Sequence, residues 1–137
     1  MEYVVGFLFS PKRDAVLLIR KNKPEWQRGR LNGVGGKIEE GELPIDAMIR
    51  EFQEEAGLLV RAWLPFHRER FTSGAVVHFF AACSSDIVFA RSQTLEEIVM
   101  VPTADIGALP LLYNLPYLVP MASVLIMEPV DNIPVFA

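Results

Sequence analysis

Between Pro44 and Gly57 the chain carries a pattern that leaves little choice of local conformation. Ile45, Met48, Ile49, Phe52 and Ala56 recur at helical spacing on one face, the signature of an amphipathic α-helix with a single apolar stripe. Pro44 suits the first helical turn and Gly57 the position just past the last. The stripe needs an apolar partner, and the flanking segments supply it in a different period.

Residues 4–9 and 15–20 read as strands joined by SPKRD, whose Ser, Pro and Asp supply turn chemistry, so a β-hairpin is expected. NKPEWQRGR follows as a polar loop, and LNGVGGKIE alternates loosely around three glycines that permit close backbone approach. After the helix, residues 58–66 and 75–83 read as strands, the second apolar on both faces and therefore central in a covered sheet. His78 within it is expected to be a neutral core or pocket-wall residue, His67 an exposed one, and Cys83 a small buried one. Residues 97–102 give another short strand.

From Ile106 to Met127 there is no charged residue, a length that matches a bilayer. Pro110, Pro116 and Pro120 interrupt it and Asn114 lies inside it, so it reads as an extended stretch feeding a short buried helix rather than a membrane span. A tail, EPVDNIPVFA, closes the chain. At 137 residues the whole, residues 1–137, fits one domain. The N-terminus lacks the basic-then-apolar pattern of a signal peptide, and a lone cysteine excludes a disulfide framework, so a cytoplasmic protein is expected.

The net charge of −4 conceals an asymmetry: residues 11–31 hold seven Lys/Arg against Asp14 and Glu25, while residues 39–55 hold seven Asp/Glu against Arg50. A basic arm before an acidic box suits a polyanion approached together with cations, and the absence of a continuous basic stripe argues against duplex nucleic acid. On the helix, Glu51, Glu54 and Glu55 fall within an arc of about 100° off the apolar face. Glu54 and Glu55 also stand in the last turn, where the helix dipole disfavours each negative charge by roughly 0.3–1 kcal/mol. A divalent cation would reverse both penalties, and oxygen-only donors point to magnesium or manganese rather than zinc. The competing reading is a solvated acidic face with Arg50 paired to Glu54 at i, i+4.

The flanks decide between them. GKIEEGELPIDAMIREFQEEAGL fits G-x5-E-x7-R-E-U-x-E-E-x-G-U, with Gly36, Glu42, Arg50, Glu51, Glu54, Glu55 and Gly57 in register, a coincidence on the order of 10⁻⁸ per starting position at average residue usage. Residues 36–58 thus resemble the signature box of the Nudix hydrolases. Phe52 fills a slot usually held by Ile, Leu or Val, and Leu43 stands where a Ser or Thr cap is common. The resemblance implies an α+β fold, an α/β/α sandwich around a central mixed β-sheet with the box helix on one side and the C-terminal helix on the other. It implies Mg²⁺- or Mn²⁺-dependent hydrolysis of a diphosphate linkage, with Glu51, Glu54, Glu55 and the Gly36 carbonyl as metal ligands. In this reading Glu54 takes the proton of the attacking water, Arg50 orients a glutamate, and Lys37 with the basic arm neutralises phosphate. Glu97, with Glu96 as substitute, matches the further acid that family members often supply before a late strand.

The first forty residues resemble the nucleoside triphosphate pyrophosphohydrolases, especially the branch that removes oxidised purine nucleotides. Trp26 matches an aromatic that stacks on the base and Asn32 an asparagine that bonds its edge; a loop anchor and a turn residue are their plainer alternatives. That branch carries an acidic pair ahead of its last helix, whereas this chain has YNLP, so Asn114 remains as a base reader without support for oxidised purines. The expected substrate is a small nucleotide, a (d)NTP cleaved to (d)NMP and pyrophosphate. ADP-ribose, dinucleoside polyphosphates, coenzyme A, capped RNA ends or a non-catalytic nucleotide-binding module are the alternatives. The expected state is a monomer or homodimer with no membrane partner.

Overall fold

The computed structural model describes residues 1–126, so the expected tail lies outside the described residues. In chain order the strands are β1 Glu2–Phe9, β2 Ala15–Arg20, β3 Leu31–Asn32, β4 Val34–Lys37, β5 Leu64–Arg70, β6 Val76–Cys83 and β7 Ile98–Pro102; the helices are α1 Pro44–Ala56 and α2 Leu115–Leu125. All the strands join one sheet ordered β3-β2-β1-β6-β5, with β4 added to β1 and β7 to β2.

The sheet is mixed, and β1 is its axis. One flank runs parallel to β6 from Glu2↔Val76 to Phe9↔Cys83. The other is shared between two antiparallel partners, β4 against Tyr3–Gly6 and β2 against Leu8 and Phe9. The hairpin is present, and Lys21, Pro24, Trp26, Gln27, Asn32 and Gly33 between β2 and β4 line the cleft described below.

Period two on β1 and β2 sorts the core into two layers. Val4 and Leu8 of β1 with Leu17 and Ile19 of β2 pack against Ala47, Met48, Phe52 and Ala56 of α1. Phe7 and Phe9 with Val16 and Leu18 pack against Leu115, Leu118, Val119, Ala122 and Leu125 of α2. One helix therefore covers each face, the expected α/β/α sandwich. Gly6 points into the α1 layer, where a Cβ would collide with Met48 and Trp63. The apolar segment forms α2 with Pro120 inside it, but the helix is not wholly buried as expected: Leu115, Leu118, Val119, Ala122 and Leu125 face the core while Tyr117, Met121 and Val124 are exposed. No helix among the described residues is long and apolar enough to cross a membrane.

Several expectations are corrected. Residues 58–63 form no strand; they run from α1 to the sheet's edge, burying Val60 and Trp63 in the α1 layer. Trp63 meets Phe52 edge-on at 5.1 Å and 60°. The strand itself begins at Leu64 and extends through the charged His67–Arg70 alternation, paired to β6 with a bulge between Pro65 and His67. An edge strand tolerates proline because one side needs no ladder donor. Cys83 ends β6 and is exposed, its sulfur near the Ser10 and Pro11 carbonyls. His78 is no core residue: its Nε2 lies 2.8 Å from Glu2 Oε1, a bond that draws the Glu2 carboxyl below its ordinary range. The late strand starts at Ile98, leaving Glu97 just ahead of it.

Candidate active site

The helix α1 is preceded by Leu43, whose side chain offers no cap, and is ended by Gly57 with φ 74°, where the Gly57 N–H donates to the Gln53 carbonyl. Only a residue without Cβ enters that left-handed region at little cost. In place of a capping side chain, the preceding loop is folded by Arg50. Its Nε donates to Glu42 Oε2 at 2.8 Å and its Nη2 to Glu42 Oε1 at 2.9 Å, while Nη2 also reaches the Lys37 carbonyl at 3.0 Å. Nη1 faces Glu51 Oε1 at 2.9 Å and Glu54 Oε2 at 3.3 Å. One guanidinium thus binds β4, the loop and two helix acids. The forked pair, supported by the Glu39 N–H and working against desolvation, lowers the Glu42 carboxyl to about 2, and the same partners raise Arg50 further above its ordinary range.

The helix places Glu51, Glu54 and Glu55 on adjacent turns, but their side chains divide rather than meet. Glu51 and Glu54 turn to Arg50, while Glu55 accepts a hydrogen bond from Thr94 Oγ1 at 3.1 Å. Among the described residues no three His, Cys, Asp or Glu side chains are gathered closely enough to hold an ion. Like charges seek separate donors, which corrects the expected convergence of all three. Glu54, 58% exposed, also has the i, i+4 pairing with Arg50 of the competing reading. Burial raises the Glu51 and Glu55 carboxyls above the ordinary range, opposed by Arg50 in the first and Thr94 in the second. Gly36 of β4 abuts this acidic face so closely that a Cβ there would fall on the Glu51 carboxylate.

Trp26, Asn32, Lys37 and Asn114, singled out from four separate segments, all line one cleft of ≈ 600 Å³ together with Gly36. Asn32 Oδ1 accepts from the Gly33 N–H at 2.8 Å, which fixes the amide and leaves its NH₂ unpartnered by that bond. Asn114 is buried; its Nδ2 donates to Glu69 Oε2 at 3.2 Å, the same oxygen that accepts from Tyr113 Oη at 3.1 Å. Tyr3, Phe71, Phe79 and Tyr113 add aromatic walls that sequence reasoning missed. The apolar runs of β1 and β6 were the available signal for Tyr3 and Phe79, but which face borders a cavity is not written in them. The lining contains Lys21 and Lys37 and no acid.

Glu97 is not brought to the helix acids: it is 69% exposed and its cation is Arg20 at 3.9 Å. Glu96 is the neighbour whose charge bears on Glu55. Burial disfavours its charge, but the Asn22 N–H, the Lys21 ammonium and the Lys23 N–H together outweigh that and lower the Glu96 carboxyl.

Known proteins resemble this chain in sequence and in fold. Over 57 residues, 42% of this chain, it is 46% identical to the "8-oxo-dGDP phosphatase NUDT18" of Mus musculus, a stretch that is 17% of that protein. Over 58 residues it is 40% identical to the "Oxidized purine nucleoside triphosphate hydrolase" of Mus musculus, 35% of that protein's length. The chain therefore spans only a minor part of these curated relatives. The NUDIX domain of Shewanella oneidensis NrtR, solved with ADP ribose, shares the fold with a TM-score of 0.75 at 20% identity, covering 89% of this chain and 85% of that one. Residues 2–119 match the NUDIX domain model, from the first strand through the acidic helix to the start of α2, and the chain belongs to the NUDIX domain family.

Proposed function

We propose that this chain hydrolyses a nucleoside triphosphate to the monophosphate and pyrophosphate with Mg²⁺ or Mn²⁺. The observation that supports this reading is the contact of Gly36 with Glu51, which joins an aromatic, acid-free cleft to the acidic face of α1. An aromatic base carried on a phosphate chain is the ligand such a cleft and such a face could share.

The residues fit a hard dication: all donors are oxygens, Glu51 and Glu55 are partly withdrawn from water without enough positive charge to restore their usual acidity, and Gly36 leaves the approach open. Glu51, Glu54, Glu55 and the Gly36 carbonyl would hold it once these side chains turn from Arg50 and Thr94, and it would then neutralise phosphate charge and acidify water. Arg50 positions Glu51 and Glu54. Glu54, the more exposed of that pair, takes the proton of the attacking water. Lys21 and Lys37 offset charge on the phosphates, Trp26 stacks on the base, and Asn32 and Asn114 bond its edge. Glu97, exposed beside Arg20, is left out of this set.

The test is release of pyrophosphate from a nucleotide panel with magnesium or manganese, oxidised purine nucleotides included because the named relatives act on them. Glu54→Gln and Glu55→Gln should abolish release while the fold persists. Orthophosphate as sole product contradicts the reading, and tight nucleotide binding without turnover under any divalent ion would make the domain a binding module. Hydrolysis of a nucleoside diphosphate conjugate is the second reading. It is favoured by a further cleft, lined by Lys21, Asn22, Lys23, Arg28, Leu95 and Glu96 among others, that could accept a group beyond the diphosphate.

A further inference from the structure

The loop Lys21-Asn22-Lys23 closes around a carboxylate of its own chain. Lys21 Nζ lies 3.1 Å from Glu96 Oε1, and the backbone N–H groups of Asn22 and Lys23 donate to Glu96 Oε2 at 2.5 and 3.4 Å. The Asn22 side-chain amide ties the two loops by donating to the Leu95 carbonyl at 3.2 Å. Both charged side chains are largely withdrawn from water, 21% exposed for Lys21 and 16% for Glu96. Consecutive backbone N–H groups beside an ammonium form a concavity for an anion with several oxygens. A carboxylate satisfies them through two oxygens, and a phosphate would do so with more charge.

Its position gives the seat a use. Lys21 and Pro24 line both the aromatic cleft and the second cleft, and Thr94, which bonds Glu55, lines the second. The loop thus stands between the two clefts, next to the acidic helix. Lys23 and Arg28 add positive charge to the same cleft, although Arg28 is shared with Glu25 at 3.6 Å. We propose that this loop is an anion seat for the phosphate group of the substrate remote from the nucleoside, and that Glu96 fills it as an intramolecular stand-in which the substrate displaces. The proposal rests on the nucleotide reading above. It makes Glu96 a built-in competitor: the donors of the loop are satisfied while the cleft is empty, at the cost of affinity for phosphate.

Pyrophosphate is the probe, titrated calorimetrically into the whole chain in EDTA, so that no divalent ion contributes. Glu96→Gln should bind it about tenfold more tightly than the parent and Lys21→Met about tenfold more weakly, the scale of one charge-assisted hydrogen bond gained or lost. The amide resonances of Asn22 and Lys23 should move on titration. If Glu96 merely braces the two loops, Glu96→Gln will bind pyrophosphate no better or worse, and that result overturns the proposal, as do unmoved amides. Should Glu96→Gln fail to fold, Glu96→Asp, a shorter carboxylate that reaches the loop less well, should bind more tightly than the parent; equal or weaker binding overturns the proposal in the same way. A panel without turnover but with these affinities refutes the hydrolase reading alone. Turnover with an unchanged Glu96→Gln affinity refutes the seat alone.

Discussion

Arg50 and Glu42 stand eight residues apart and meet through two parallel hydrogen bonds, Nε to Oε2 at 2.8 Å and Nη2 to Oε1 at 2.9 Å. A planar fork on a carboxylate fixes direction as well as distance. This pair seats the loop that α1's uncapped start leaves without a side-chain anchor.

Arg50→Lys therefore should behave as a severe change. An ammonium cannot reach Glu42, Glu51, Glu54 and the Lys37 carbonyl at once. The expected loss is about 2 kcal/mol of stability, of the order found when a hydrogen-bonded charge loses its partner, read as a lower denaturation midpoint at unchanged slope. A shift within error of the parent would show that the fork contributes nothing to the fold.

The same pair sets the acid limb. Glu42 is lowered from 4.5 to about 2 in the folded chain, so the unfolded state binds the proton first as pH falls. Its contribution is present above about pH 5 and is lost progressively down to about pH 2. Glu42→Gln should flatten the melting temperature over that window relative to the parent. Parallel curves would exclude Glu42 as the group responsible.

Glu55 has the opposite sign. Burial raises its folded carboxyl above the unfolded value, so the folded state holds the proton more tightly and the group's contribution falls as pH rises through that range. At neutral pH in EDTA, Glu55→Gln should melt about 2–5 °C higher than the parent, the size of a sub-kilocalorie gain in a domain of this length. The parent should rise on adding magnesium and the variant less, by linkage. A lower melting point in EDTA would mean that the bond from Thr94 outweighs the buried charge.

Gly36→Ala tests geometry rather than charge. The new methyl would fall on the Glu51 carboxylate and push it from Arg50. We expect a folded protein whose turnover drops by about a hundredfold, the scale of an ångström-sized misplacement, with the affinity for nucleotide in EDTA little changed. Unimpaired turnover would remove Glu51 from the site.

Phe52, in a slot where a smaller aliphatic residue is usual, is fully buried and meets Trp63 edge-on. Phe52→Ala should cost about 3–5 kcal/mol, and Phe52→Leu roughly 1–2 kcal/mol because part of the volume remains. Equal costs for the two would mean that the ring contact, not the volume, holds that layer.

Much of the fold was legible because its signals are local. Helical spacing from Ile45 to Ala56, closed by Pro44 and Gly57, determines α1, since side-chain periodicity follows directly from backbone geometry, and short apolar runs bounded by turn residues mark β1, β2 and β6. The acidic register of Glu51, Glu54 and Glu55 is likewise a property of position along one helix. The early start expected for β5 failed because the apolar residues of 58–63 are there for a different reason: Val60 and Trp63 cover α1 as the chain crosses to the sheet edge.

What only the tertiary structure decided are relations between segments far apart in the chain. Sequence could name Trp26, Asn32, Lys37 and Asn114, but one wall of their shared cleft is set by β1 pairing with β4 and β6. It could offer Glu96 and Glu97 together; the turn before β7 sent one to Lys21 and the other to Arg20. Nor could it foresee that Glu55 would part from Glu51 and Glu54 to meet Thr94, because a carboxylate's choice of partner depends on which donors the fold brings within about 3 Å.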